Sequence, residues 1–173
     1  EARDKDGCTA LILAALNGHT RCVQLLVHAK ANIDATDDRG TTALMLAALT
    51  GMKTCVKTLI RLKADINIRD KSGLCALKWA VREEKTDWVQ LLIDAKADIE
   101  TTVDGGCTYL MLAAEQGNAE CLQLLLAAKA DIDVKNIKGC SALIAAAANG
   151  HNDCAQLLVN AKADIHVGDN MRW

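Results

Sequence analysis

The stretch Asp37-Asp38-Arg39-Gly40-Thr41-Thr42-Ala43-Leu44 decides the reading of this chain, because its pattern returns every 33 residues. Asp4-Lys5-Asp6-Gly7-Cys8-Thr9-Ala10-Leu11 precedes it by one period, and eroded copies begin at Asp70, Val103 and Asn136. A fixed period of this size marks an array in which each unit is one supersecondary element stacked on the next. The 173 residues divide into units 4–36, 37–69, 70–102, 103–135 and 136–168, with partial units at 1–3 and 169–173. We expect a single repeat array over the whole length.

Within the second unit, Asp37 to Gly40 reads as a turn, with Gly40 supplying a backbone conformation that other residues resist. Thr42 is a natural helix N-cap. Ala43 to Leu49 is a short run of strong helix formers that stops near Gly51. From about Thr54 to Leu62 the apolar residues Cys55, Val56, Leu59, Ile60 and Leu62 fall on helical spacing. Lys63-Ala64-Asp65-Ile66-Asn67 then leads to the next turn. Helices of two to three turns are too short to be stable alone, so stacking must supply the stability.

The composition agrees with thin stacked layers. Hydrophobic residues make up 51%, yet the chain has only three Trp, one Tyr and no Phe. The core is therefore expected from Leu, Ile, Val, Ala and Cys. A net charge of −2 argues against a general electrostatic grip on nucleic acid or acidic membrane. No apolar run approaches the roughly 18 residues a transmembrane helix requires, and no leader pattern opens the chain. Glu1-Ala2-Arg3 occupies the slots held later by Asn67-Ile68-Arg69, so we expect a piece of a longer array.

Of eight cysteines, Cys22, Cys55, Cys121 and Cys154 share one repeat position, where the third unit has Trp88. Stacked at a helix-packing distance of about 8–10 Å, these sulfurs are too far apart to bridge, since a disulfide needs Cα atoms within about 7 Å. Free, buried thiols and a reducing, cytoplasmic setting are expected. No Cys-x-x-Cys or Cys/His cluster suggests a metal. Neither a nucleophile–base motif nor a Gly-rich phosphate loop is present, so no catalytic residue and no cofactor is assigned.

These residues resemble the ankyrin repeat. Gly7, Thr9, Leu11, Ala14, Ala15, Gly18 and His19 match its first half in the first unit, and Leu25-Leu26 and Ala31-Asn32-Ile33-Asp34 its second half. The resemblance implies an all-α repeat solenoid of stacked helix-turn-helix units with β-hairpin-like fingers. It also implies a concave surface of fingers and first helices. Two departures stand out. The family's Pro-Leu-His becomes Ala or Tyr, Leu, then Ile, Met or Lys, which gives up a pre-set first helical residue. The Gly before Ala-Asp becomes Lys30, Lys63, Lys96, Lys129 and Lys162. If that position is left-handed, each Lys costs on the order of 1 kcal/mol against Gly. Asp65, Asp98, Asp131 and Asp164 follow the last four of these lysines two residues later, so the column reads as a solvated edge.

The resemblance also places the contact surface. It implies non-enzymatic binding of a protein partner through finger and first-helix positions. The candidates are Arg39, Thr41, Leu49, Arg69, Lys71, Leu74, Lys78, Arg82, Glu83, Asp104, Glu115, Gln116, Lys135 and Lys138. The third unit breaks the pattern most, with Glu84 for the turn Gly and with Trp79 and Trp88 expected to repack one layer. Lys78, Arg82 and Glu83 there form a charged patch expected on the concave face. His19 and His151 match the family's structural turn His. A permanent subunit of a larger assembly, or a regulatory array beside a catalytic or channel domain, is the alternative. Fraying is expected at both ends unless Trp173 folds back as a lid.

Overall fold

The computed structural model describes residues 1–166, apart from the side chain of Asp104. The expected behaviour of Trp173 lies outside the described residues. Ten α-helices form five pairs among them: α1 (Ala10–Leu16) with α2 (Thr20–His28), α3 (Ala43–Leu49) with α4 (Lys53–Arg61), α5 (Ala76–Arg82) with α6 (Thr86–Asp94), α7 (Tyr109–Gln116) with α8 (Ala119–Ala127), and α9 (Ala142–Ala148) with α10 (Asn152–Asn160). The second helix of the second repeat begins at Lys53, one residue earlier than the apolar spacing suggests. Contacts group the chain into two compact units, one ending at Trp79 and one beginning at Ala80, so the division falls inside α5.

In the first unit α1 packs on both α2 and α3, and α2 and α3 both meet α4. Leu11, Ile12, Val23, Leu44, Val56 and Leu59 are almost fully buried there. Burial of each such side chain stabilises the fold by about 1.5–3 kcal/mol. In the second unit α6 packs on α8, α7 on α8 and α9, and α10 on α8 and α9. Leu92, Tyr109, Leu110, Leu122, Leu125 and Leu158 form its interior. Tyr109 takes the place of an Ala found at the same repeat position in the other units, and it is only 1% exposed.

The local chemistry of each first helix follows from its first hydroxyl. Thr9, Thr42, Thr108 and Ser141 accept hydrogen bonds from the backbone N–H groups of Ile12, Met45, Met111 and Ile144, which satisfies one otherwise unpaired donor per helix. The third repeat has Cys75 at this place, and its sulfur stands 3.4 Å from the Lys78 nitrogen. Sulfur is a weaker acceptor than a hydroxyl oxygen.

The fingers that precede these helices are pinned by a side chain. Asp37 Oδ1 accepts from the N–H groups of Arg39 and Thr41 at 2.9 and 2.7 Å. Asp4, Asp70 and Asn136 do the same for their own fingers. The fourth repeat has Val103, whose side chain can offer no acceptor. Its finger tightens into a 3-10 turn at Asp104–Gly106 instead, with Gly105 and Gly106 at φ 72° and 80°. Inside each unit, successive fingers are joined by backbone bonds. Within the first unit, Asp38 donates to Asp6 and Lys71 donates to Arg39; within the second, Ile137 donates to Gly105. A Cβ on Gly7 would fall 2.3 Å from Asp38 Oδ1, so this contact requires glycine.

The lysine column is left-handed in all five repeats, with φ between 67° and 70°. Glu84, standing where other repeats have Gly, is left-handed too, at φ 55°. Within each unit carboxylates link neighbouring loops: Asp34 accepts from Asp65 N–H in the first, and Glu100 from Asp131 and Asp133 from Asp164 in the second. At the first residues, Glu1 accepts from Asn32 N–H, and Arg3 donates to the carbonyls of Gly7 and Thr36.

None of the eight cysteines, all of which lie among the described residues, forms a disulfide. Cys55, Cys121 and Cys154 are buried as their column predicts, and burial pushes the Cys121 and Cys154 thiols up. Cys22 departs from the expectation of a buried column: it is exposed, because no described helix covers the outer face of α1 and α2.

Candidate functional site

The expected contact residues occupy finger and first-helix positions in each unit. In the first unit, Arg39 and Lys71 are exposed on successive fingers, and Leu49 is exposed at the end of α3. Arg69 and Leu74 are half-buried. Thr41 is 7% exposed, with its N–H held by Asp37, so it presents little surface. Lys78 also departs from its expected place on an exposed charged patch, being only 7% exposed. The physical reason is its register: the equivalents Ile12, Met45 and Met111 are buried against neighbouring helices. Its ammonium is directed toward the third finger, and Nζ lies 4.0 Å from where a Cβ of Gly73 would stand.

Lys78 influences that finger through charge. Burial works to raise the Asp70 carboxyl. Hydrogen bonds from Ser72 Oγ and from the N–H groups of Leu74 and Ser72, with the Lys78 charge beside them, outweigh it and hold the group below its usual range. The finger and the helix following it are thus coupled by one carboxylate and one buried ammonium.

In the second unit, Arg82, Glu83, Glu115, Lys135 and Lys138 are exposed. Asp104 belongs to the 3-10 turn of its finger. Gln116 is half-buried, and its Nε2 donates to the Arg82 carbonyl at 2.9 Å. It thereby serves a helix end. His151 behaves as the turn histidine expected, its Nε2 lying 2.9 Å from the Glu115 carbonyl oxygen. Its ring packs so closely on Gly117 that a Cβ there would fall 2.5 Å from Nδ1.

One concavity on this face was not foreseen. A cleft of about 380 Å³ opens between the fingers of the fourth and fifth repeats and helices α7 and α9. Its origin is a change of side-chain size. Ala145 stands where the preceding repeats have Leu13, Leu46, Trp79 and Leu112. Ala148 stands where they have Leu16, Leu49, Arg82 and Glu115. Gly105 adds no side chain where the fingers have Asp6, Arg39 and Ser72. Ile137 lies at the rim and is 77% exposed, at a position that holds Lys5, Asp38, Lys71 or Asp104 elsewhere. Comparing repeats by size as well as by polarity would have found this cleft.

No group of three or more His, Cys, Asp or Glu is placed to hold a metal ion among the described residues. None of the helices described is long and apolar enough to cross a membrane.

The family model for ankyrin repeats, described as "Ankyrin repeats (3 copies)", matches residues 1–70, 29–103 and 77–169. The chain belongs to the ankyrin repeat family. Cortactin-binding protein 2 of Dasypus novemcinctus is 64% identical over 33 residues, a stretch that is 19% of this chain and 2% of that protein. The match is as long as one repeat. Ankyrin repeats are protein-interaction modules, and the helix pairs, finger turns and N-cap hydroxyls described above are the parts from which this one is built. Its dialect differs from the family pattern at the left-handed lysines and at Glu84, where local strain is tolerated by the packed helices on either side.

Proposed function

We propose that this ankyrin chain is a non-enzymatic scaffold that binds a partner protein through its finger and first-helix surfaces. The observation that carries this reading is the contrast within each repeat. The packed face of the first helix keeps apolar residues from repeat to repeat, as at Leu11, Leu44, Leu77 and Leu110, each 1% exposed, whereas the finger tips and the last turn of that helix vary in charge and size. Arg39, Lys71 and Leu49 vary in this way in the first unit, and Glu115, Lys138 and Ile137 do so in the second. A mixture of both charge signs with exposed apolar groups suits a protein surface better than a polyanion, whose recognition rests on clustered Lys and Arg. The name of the Dasypus novemcinctus protein attaches cortactin binding to that protein; a match the length of one repeat supports the repeat here and leaves the ligand open. The test is capture of partners from native extract on the intact chain and on an Arg39→Glu/Lys71→Glu variant. The reading predicts a partner retained by the former and weakened by the latter; equal retention contradicts it for the first unit.

A second reading, that the chain is a permanent part of a larger assembly, is favoured by the outer face of α1 and α2. Leu25 is 62% exposed and Leu13 38%, beside a cleft of about 510 Å³. The counterpart of Leu25 in the next repeat, Thr58, is 6% exposed, and Ala43, at the position of Ala10 beside the same cleft, is fully buried. Such a face suits another helix pair. A chain that stays monomeric and soluble at high concentration favours the scaffold, and aggregation relieved by Leu25→Lys favours the assembly.

A further inference from the structure

The cleft of the second unit narrows the kind of partner. Resting on the scaffold reading, we propose that it receives an extended peptide segment of the partner, which inserts a large apolar side chain (Leu, Met or Phe) over Ala145 and Ala148 and sets an adjacent Lys or Arg against Glu115. The shape argument comes from the repeats themselves. Leu13, Leu46 and Leu112 occupy the place of Ala145 in other repeats, and Leu16 and Leu49 that of Ala148. The fifth repeat lacks this apolar volume, and Met111, only 3% exposed, floors the space left behind. A partner's apolar side chain replaces what the repeat omits, as anchor residues do at well-packed interfaces. Ile137, 77% exposed on the finger, adds apolar surface at the rim.

Charge sets the direction of the peptide. Glu115 belongs to the last turn of α7, where backbone carbonyls already favour a cation. Lys138 lines the finger side of the same cleft, so a second cation is repelled there. The basic residue therefore points to the helix ends, and the finger end takes a neutral or acidic residue.

A phage-displayed library of random 12-residue peptides, selected on the whole chain, tests this. Enriched sequences should share a Leu, Met or Phe with Lys or Arg within three positions. They should bind an Ala145→Leu/Ala148→Leu variant at least tenfold more weakly, and Glu115→Lys likewise. Leu is already used at both positions by other repeats, and an unchanged unfolding midpoint of each variant verifies the fold. Peptides that bind the double-Leu variant as tightly as the parent overturn the inference. If such peptides instead lose binding to Arg39→Glu/Lys71→Glu, the cleft assignment is wrong while the scaffold reading stands. If no peptide is enriched and native extract yields no partner, both fall.

Discussion

Gln116 donates its side-chain amide to the backbone carbonyl of Arg82 at 2.9 Å, reaching back from the end of α7 to the end of the first helix one repeat earlier. The same reach joins Thr50 to the Leu16 carbonyl. It matters because the last carbonyls of a helix have no intrahelical partner. Asn17, Thr50 and Asn149 each donate to a carbonyl of their own helix from the C-cap position. Glu83 holds that position in the third repeat and, when ionised, has only acceptors to offer. Gln116 thus supplies a donor that Glu83 lacks. Gln116→Ala is expected to destabilise the chain by about 0.5–1.5 kcal/mol, the net value of one such bond. Gln116→Glu should cost more, since it sets a second carboxylate near Glu83. Urea unfolding midpoints check the order.

Cys75 gives a prediction of opposite sign. Among the five N-cap positions of the first helices it alone lacks a hydroxyl, and Ser or Thr at this site is ordinarily worth about 0.5–2 kcal/mol over a residue that cannot cap. Cys75→Thr should therefore raise stability, by less than that full amount because sulfur already stands 3.4 Å from the Lys78 nitrogen. A thermal midpoint unchanged or lowered would argue against the capping account.

These features show how much could be read in advance. The period, the helix pairs and the N-cap hydroxyls were legible because each repeats the same local physics at the same spacing. The charge of Lys78 points to an exposed place, but its register, marked as apolar by Ile12, Met45, Met111 and Ile144, buries it. The exposure of Cys22 depends on what covers α1 and α2, a relation beyond any one repeat. The cleft was missed because alanine at Ala145 and Ala148 looks ordinary in a helix. Its meaning appears only beside the leucines of other repeats.

Left-handed backbone provides the next expectation. Such a conformation costs a residue with a Cβ about 1–2 kcal/mol, while glycine gives back about 0.4–1 kcal/mol through the unfolded chain. Glu84→Gly, at φ 55°, should thus stabilise by roughly 0.5–1 kcal/mol, the difference of these two terms. Lys63→Gly, at φ 70°, should act in the same direction. Denaturant titration decides, and a loss of stability in both would remove strain as the description of these positions.

Asp70 makes stability depend on acid. Its carboxyl is held below the usual range in the folded chain. It therefore contributes stability that is present above the unfolded value of about 3.9 and lost as pH falls through the folded one. Asp70→Asn keeps the Oδ1 acceptor, as Asn136 does in the fifth repeat, but removes the proton linkage. The parent should exceed the variant most at neutral pH, and the gap should shrink below about pH 4. A gap that does not vary with pH would contradict the assignment.

The central claim is that partners are met by fingers and first helices. Backbone hydrogen exchange of the chain, alone and bound to a protein captured from native extract, tests it most directly. The account predicts slowed exchange at finger amides near Arg39, Lys71 or Lys138 and in the last turns of α3, α7 or α9, with α2, α4, α8 and α10 unchanged. Protection confined to those second helices would contradict it.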